Sequence, residues 1–370
     1  MTPNPMLSTG ATDVAATSAA TAGVMNVSDI TEGAPPGNSI RLRGRLLMLP
    51  DAAYRLVAER MRPLGRTPVL RAAEDGDGQE ILALPMTFGH VQPRVGLALG
   101  LFVLTVLSCL FAGAQMVEGA ATVNWNLLDG LPFAASLMAI LTAHEFGHYL
   151  TARRLGSPTS LPYFIPMPVG PFGTLGAFIT MGVPPRNRRH LLAIGAVGPV
   201  AGLVLAVPLL WLGLNLSHVE PIPAVGGYTT MGSSLLLTGL TLLKFGRLLP
   251  AGGEDVFLHQ VAFAGWAGLL VTALNLIPAG QLDGGHIMYA LLGRKGARVV
   301  TWIVIAALAG LSFKWTGWLL WLALVLVFGR QQDMPLDDLT ELTVGQRVFA
   351  AAMFLVFILV FVPVPMVDVP

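Results

Sequence analysis

Residues 141–154 read LTAHEFGHYLTARR, and they lie inside a longer apolar stretch, 128–153, of the length that crosses a bilayer. The stretch contains His144, Glu145 and His148 in an H-E-x-x-H spacing. At 3.6 residues per turn, positions four apart share one helix face. Two imidazoles can then bind one metal ion, while the intervening glutamate stays close to a water on that metal. From composition alone the pattern would arise by chance on the order of a few times per thousand such chains. Glu145 is also the only carboxylate well inside an expected span, where an unpaired charge costs at least ~2.5 kcal/mol. The bland alternative is that the two histidines and the glutamate only hydrogen-bond between helices. His148 precedes Arg153 by about 7.5 Å of helix, which places the cluster buried but near a basic helix end.

Working outward, the chain has 370 residues, of which 54% are hydrophobic and 12% charged. A soluble core of this size cannot absorb that balance. Seven segments have the apolar character of spans, about 95–116, 128–153, 190–214, 256–280, 297–311, 316–329 and 344–363. Residues 231–248 are apolar but carry Lys244 and Arg247, so they are expected not to cross fully. The expected fold is an all-α polytopic membrane protein with about seven transmembrane helices and a re-entrant extended loop. A small cytoplasmic α+β unit precedes it. With this span count Arg94, Arg153, Arg154, Arg186, Arg188, Arg189, Arg294, Lys295, Arg298, Arg330 and Arg347 all fall on one side. The positive-inside rule makes that side cytoplasmic, together with the N-terminus and the H-E-x-x-H end.

Residues 1–37 are rich in Ala, Thr, Ser, Gly and Pro, have no Lys or Arg, and lack the pattern of a signal peptide. They are expected to be a disordered tail. Residues 38–92 alternate in short runs around a helical stretch with Tyr54, Val57, Met61 and Leu64 on one face, as in a β-α-β-β unit. The net charge of +1 offers no basic field for nucleic acid, and no nucleic-acid partner is expected. Cys109 is the single cysteine, so any metal must use histidine and carboxylate ligands.

A hydrolytic zinc site takes three protein ligands, so a third is needed beyond His144 and His148. Asp283, in NLIPAGQLDGGH (275–286), is the candidate. Pro278 should end or kink the helix, and the following glycines let an unwound segment turn Asp283 into protein. An ordinary turn aspartate at the membrane surface remains the alternative from spacing alone. HEFGH on one span and NLIPAGQLDGG on a later one resemble the site-2 protease family of intramembrane metalloproteases. PFGTLGAFITM (171–181) and IGAVGPVAG (194–202) are similar to its re-entrant segment and third core span, especially in the plastid and prokaryotic branch.

The resemblance covers about 95–290 and implies a zinc metalloendopeptidase, a member of peptidase family M50. One Zn2+ per chain would be held by His144, His148 and Asp283, with Glu145 as catalytic base. The implied substrate is a transmembrane helix of another protein, met in the lipid bilayer during regulated intramembrane proteolysis. The chain then divides into the tail, the 38–92 unit, a metalloprotease core at 93–290 and C-terminal helices at 291–370. Gln260 stands where proline is expected, which leaves a role for His259 open; His259, Glu254 and Asp255 read as helix-start and interface residues.

Asn275 could orient the scissile peptide or donate to its oxyanion, or else bond between helices. His286 reads as a residue beside the metal turn. Glycines and Pro171 make 170–181 a poor helix, while Phe178, Ile179 and Thr180 suit a strand that pairs with unwound substrate. The rival readings are a membrane metal transporter and a proteolytically silent homologue that binds membrane proteins.

Overall fold

Backbone polar groups in the N-terminal residues find partners by adding a strand to a sheet. The computed structural model describes residues 5–35, 38–73, 78–89, 92–116, 123–222, 228–329 and 334–369. Helix α1 (Pro5–Ala20) is followed by β1 (Met25–Ala34), β2 (Ser39–Leu46), α2 (Pro50–Met61), β3 (Thr67–Ala72) and β4 (Gln79–Leu84). The strands form one antiparallel sheet in the order β1-β2-β4-β3. The β-α-β-β pattern is therefore present as β2-α2-β3-β4, with β1 added at the β2 edge.

The expected disordered tail is corrected over its described part. Composition concealed two anchors, Val24 and Met25, both buried in the unit's core. Arg66 adds a third by donating to the Asp13 carboxylate. Main-chain pairing along β1 needs no apolar side chains, which is why a polar segment can form it. Pro50 opens α2, and its buried face is Ala53, Tyr54, Val57 and Met61. Leu64 leaves that face because the chain tightens into a 3-10 turn, Arg62–Leu64.

Among the described residues, four helices are long and apolar enough to cross a membrane. They are α3 (Val95–Ala114), α4 (Leu131–Arg154, entered through a 3-10 turn), α5 (Arg188–Leu216) and α8 (Asp283–Ser312). Shorter apolar helices are α6 (Leu235–Phe245), α7 (Gln260–Asn275), α9 (Trp318–Phe328) and α10 (Val344–Val360). The chain is a mostly helical membrane protein. Eleven residues make α6 too short to cross, and Gly246 in a left-handed conformation ends it. Residues 297–311 fall in the second of two helical segments that make up α8, because the backbone leaves helical geometry at Gly293, where φ is 69°.

The description as purely helical also needs correction, because connections between the helices pair as strands. Between α4 and α5 lies a hairpin of β5 (Tyr163–Pro166) and β6 (Thr174–Phe178). Beyond α5, β7 (His218–Pro221) pairs with β9 (Glu254–Phe257), and β8 (Tyr228–Met231) pairs with β10 (Met366–Val369). His259 caps α7 by accepting the Val261 N–H through Nδ1, as a helix-start residue does. Gln260 donates to the Gly113 and Asp129 carbonyls, tying the starts of α4 and α7 to the end of α3.

At the opposite end, the segment after α9 returns across the N-terminal unit. Leu70 N–H donates to the Leu336 carbonyl and Asp338 N–H to the Leu70 carbonyl, while Leu336 and Asp337 N–H groups reach the Pro185 and Arg186 carbonyls. This strap therefore joins β3 to the entry of α5. Arg186 also pairs with Asp51 of α2, and Arg188 with Asp338. Partial burial works against the Asp51 carboxylate, yet Arg186 and Arg55 hold its pKa below the ordinary value. Burial pushes the Asp337 carboxyl up, although the N–H and hydroxyl groups of Thr340 and the Leu339 N–H oppose the shift. Arg330 lies outside the described residues.

Candidate metal centre

Helix α4 carries His144, Glu145 and His148, all buried. The imidazole rings stand edge to face with centroids 4.9 Å apart. Helix α7 ends at Asn275, and seven non-helical residues follow before Asp283 opens α8. That interruption, around Pro278, turns Asp283 toward α4. Its Oδ2 lies 3.2 Å from His144 Nε2 and 3.2 Å from His148 Nε2.

A tetrahedral site with ~2.1 Å bonds separates its ligand atoms by roughly 3.4 Å. The three atoms here all lie within 4.8 Å of one another, and the two separations to Asp283 Oδ2, 3.2 Å each, are close to the tetrahedral value. Two imidazole nitrogens and one carboxylate oxygen are a donor set that suits zinc. His148 Nδ1 donates to the Ile194 carbonyl at 2.7 Å, so Nε2 is the nitrogen left to face Asp283 and a metal ion. Residues present therefore fit a bound zinc ion.

Asn275 Nδ2 lies 3.3 Å from His144 Nε2, so the asparagine borders the ligand cluster. A cavity of about 780 Å³ opens over these groups, lined by Glu145, Asn275, Asp283, His286 and residues 177–182. Phe88 from beyond β4 and Met334 from the strap stand at its wall. Phe178, half exposed, also lines it while its ring meets Tyr163 at 5.7 Å.

The register of the hairpin decides which backbone groups of β6 and its continuation are available. Ser160 N–H donates to the Thr180 carbonyl and Gly182 N–H to the Pro158 carbonyl, so positions 180 and 182 face the hairpin partner. Thr180 N–H turns the same way, to Ser160 Oγ. Backbone direction alternates along a strand, so Ile179 and Met181 point to the other edge. No strand pairs with that edge among the described residues. Phe178, paired with Tyr163, has its N–H turned inward by the same alternation.

What the sequence reading missed is the face of α5 that meets the cluster. A Cβ on Gly198 would stand 2.0 Å from His148 Nε2, and one on Gly202 3.2 Å from His144 Nδ1. One on Gly195 would meet His286 Cβ at 2.8 Å and the Asp283 carbonyl at 3.2 Å. Gly195, Gly198 and Gly202 fall on one helix face, and small residues at such spacing in an apolar helix are the available signal. Replacing Gly198 by Ala would favour an isolated helix by up to ~1 kcal/mol. Here the new methyl displaces a ligand nitrogen. Gly198→Ala is expected to lower bound zinc well below the wild-type level while the protein stays folded, as measured by metal analysis and circular dichroism on the same sample.

The profile of peptidase family M50 matches residues 132–311, from the start of α4 to the end of α8. The chain is similar to the probable zinc metalloprotease EGY2, chloroplastic, of Oryza sativa subsp. indica, with 28% identity over 91% of this chain and 63% of that protein. The Arabidopsis thaliana protein of the same name is 30% identical over 89% of this chain and 60% of the relative. The probable zinc metalloprotease EGY1, chloroplastic, of Arabidopsis thaliana is 33% identical over 63% of this chain and 43% of the relative. The chain thus spans less than two thirds of the length of these curated relatives. No solved structure matches it. The matched segment contains His144, Glu145, His148 and Asp283, and it is this segment that the chain shares with peptidase family M50.

Proposed function

We propose that the chain is an intramembrane zinc metalloendopeptidase that hydrolyses peptide bonds in transmembrane segments of other proteins. The observation that carries this reading is the convergence of His144 Nε2, His148 Nε2 and Asp283 Oδ2 beside Glu145, in a cavity bordered by an unpaired strand edge. His144, His148 and Asp283 would hold the metal. When bound, zinc supplies Lewis acidity, which acidifies a water and polarises a peptide carbonyl. Glu145 takes the proton of the attacking water and passes it to the leaving amine. Asn275, beside His144, orients the scissile peptide or donates to its oxyanion.

A transmembrane helix hides its carbonyls in its own hydrogen bonds, so the substrate must unwind before attack. The outward backbone of Ile179 and Met181 offers the unwound segment a strand to pair with, and Phe178 offers it an apolar side chain. In this reading the β5–β6 hairpin is the re-entrant segment. It dips from the active-site side and returns, with its non-helical backbone buried in protein or facing a wet cavity. About seven crossings remain the preferred count, α7 and α9 being completed by the non-helical residues that flank them. Residues 93–290 are the protease core, 291–370 the C-terminal helices, and 38–92 a cap on the cytoplasmic side. The positive-inside rule, applied to the arginines and lysines of the connecting segments, supports a cytoplasmic N-terminus and active-site end.

Glu145→Gln is expected to lower cleavage of a transmembrane substrate by ~10²–10⁴-fold with zinc retained, because the amide keeps the shape but accepts no proton. Asp283→Ala should lower zinc content together with activity. Retained activity in the first variant, or full zinc in the second, would remove these assignments. Ile179→Pro deletes one outward N–H and should slow cleavage roughly threefold to tenfold with zinc content preserved. Unchanged rates would exclude pairing at this edge. A cysteine at Arg154, exposed at the end of α4, should react with impermeant reagents added from the cytoplasmic side. One at Val123, exposed at the other end, should react only from the opposite side, and the native Cys109 is buried. Reversed labelling would move the active-site end to the other face.

A further inference from the structure

A second cavity, of about 300 Å³, lies between the later part of α8 and the end of α9. Its walls include Arg294, Arg298, Thr301, Trp302, Ile305 and Met334. Arg294 and Arg298 are one turn apart, so both guanidinium groups lie over the same face of α8. Both are exposed, and neither forms an ion pair among the described residues. The Thr301 hydroxyl is turned to the Ala297 carbonyl of its own helix, which leaves the arginines as the strong donors of this wall.

Polarity along the wall falls in one direction. From Arg294 to Ile305 is about 16 Å of helix, and over that rise the lining passes from two cations through Thr301 and the indole of Trp302 to an aliphatic side chain. A lipid leaflet has the same order of phosphate, interface and acyl chain over a similar depth. Tryptophan favours the interfacial level, and arginine binds phosphate through its planar fork. The cationic mouth follows the Gly293 break in α8, which adjoins Arg188 and through it Asp338 of the strap, and Met334 is a wall residue of both this cavity and the one over the metal ligands.

We propose that this cavity binds the phosphate headgroup of an anionic phospholipid from the leaflet on the active-site side, with an acyl chain running along Trp302 and Ile305. The site depends on α8 crossing the membrane and not on the protease activity, so its failure and the failure of the catalytic reading are separate results. Each arginine near an anionic lipid surface contributes roughly a fivefold preference, and the pair therefore ~25-fold.

Purified full-length protein in detergent, titrated with phosphatidylglycerol or phosphatidylcholine of the same chain length and read by native mass spectrometry, tests the proposal. Wild type is expected to retain phosphatidylglycerol over phosphatidylcholine by about that ratio. Arg294→Gln with Arg298→Gln should bring the ratio close to unity, while the double lysine variant keeps most of it. Zinc content serves as the folding control in both. Lys295→Gln removes a neighbouring charge that does not line the cavity and should leave the ratio unchanged. Equal retention of the two lipids by wild type overturns the site. So does a loss in Lys295→Gln as large as in the double glutamine variant, since that marks a diffuse field. Full displacement of the lipid by millimolar inorganic phosphate would show a free-phosphate site and overturn the lipid assignment.

Discussion

An imidazole inside an apolar helix bundle can present one nitrogen to a metal only if its other nitrogen is satisfied by a group close enough to reach. For His148 that group is the Ile194 carbonyl at 2.7 Å. A main-chain acceptor on a neighbouring helix is available at this distance only where the two helices nearly touch. Gly147 on α4 and Gly198 on α5 permit that approach: a Cβ on Gly147 would stand 3.0 Å from the Val197 carbonyl, and one on Gly198 would overlap the imidazole. Gly195 then admits α8, so Asp283 reaches the two histidines as a consequence of the same packing. The metal centre is in this sense a property of the glycine face of α5 as much as of its ligands.

The end of the bundle nearest the ligands is closed by polar contacts between distant parts of the chain. Asp51 of α2 meets Arg186, Asp338 of the strap meets Arg188, and main-chain bonds from the strap hold β3 to the residues before α5. None of these pairs lies within the helix-spanning core, so water is available to lower their desolvation cost. Their joint effect is to fix the small sheet unit over the cavity mouth, where Phe88 and Met334 stand. A soluble unit attached by a linker alone would have no such position.

The hairpin between α4 and α5 meets a different requirement. Backbone groups beside a membrane core need partners, and a two-stranded sheet satisfies only one edge of each strand. Pairing of 180 and 182 with the hairpin partner leaves 179 and 181 directed away from it, beside the cavity that holds Glu145. An edge of this kind is a hazard on a soluble surface. Beside the proposed hydrolytic centre it would serve to hold an extended peptide.

The amino-acid sequence by itself determined the membrane class, the paired histidines on one face of α4 and the glutamate between them. Each is carried by local periodicity or by a burial cost that does not depend on the rest of the fold. It also determined that a chain break around Pro278 precedes Asp283, because proline and glycine act on their own neighbours. Tertiary structure decided the rest. The N-terminal residues joined a sheet through main-chain bonds and the buried Val24, which composition does not reveal. Phe178 proved to lie on the paired side of the hairpin, because its register follows from the pairing of Thr180, two residues on, with Ser160. Gly198 became part of the metal centre only when α5 came to lie against His148, since the need for a missing side chain exists only where another helix occupies its space.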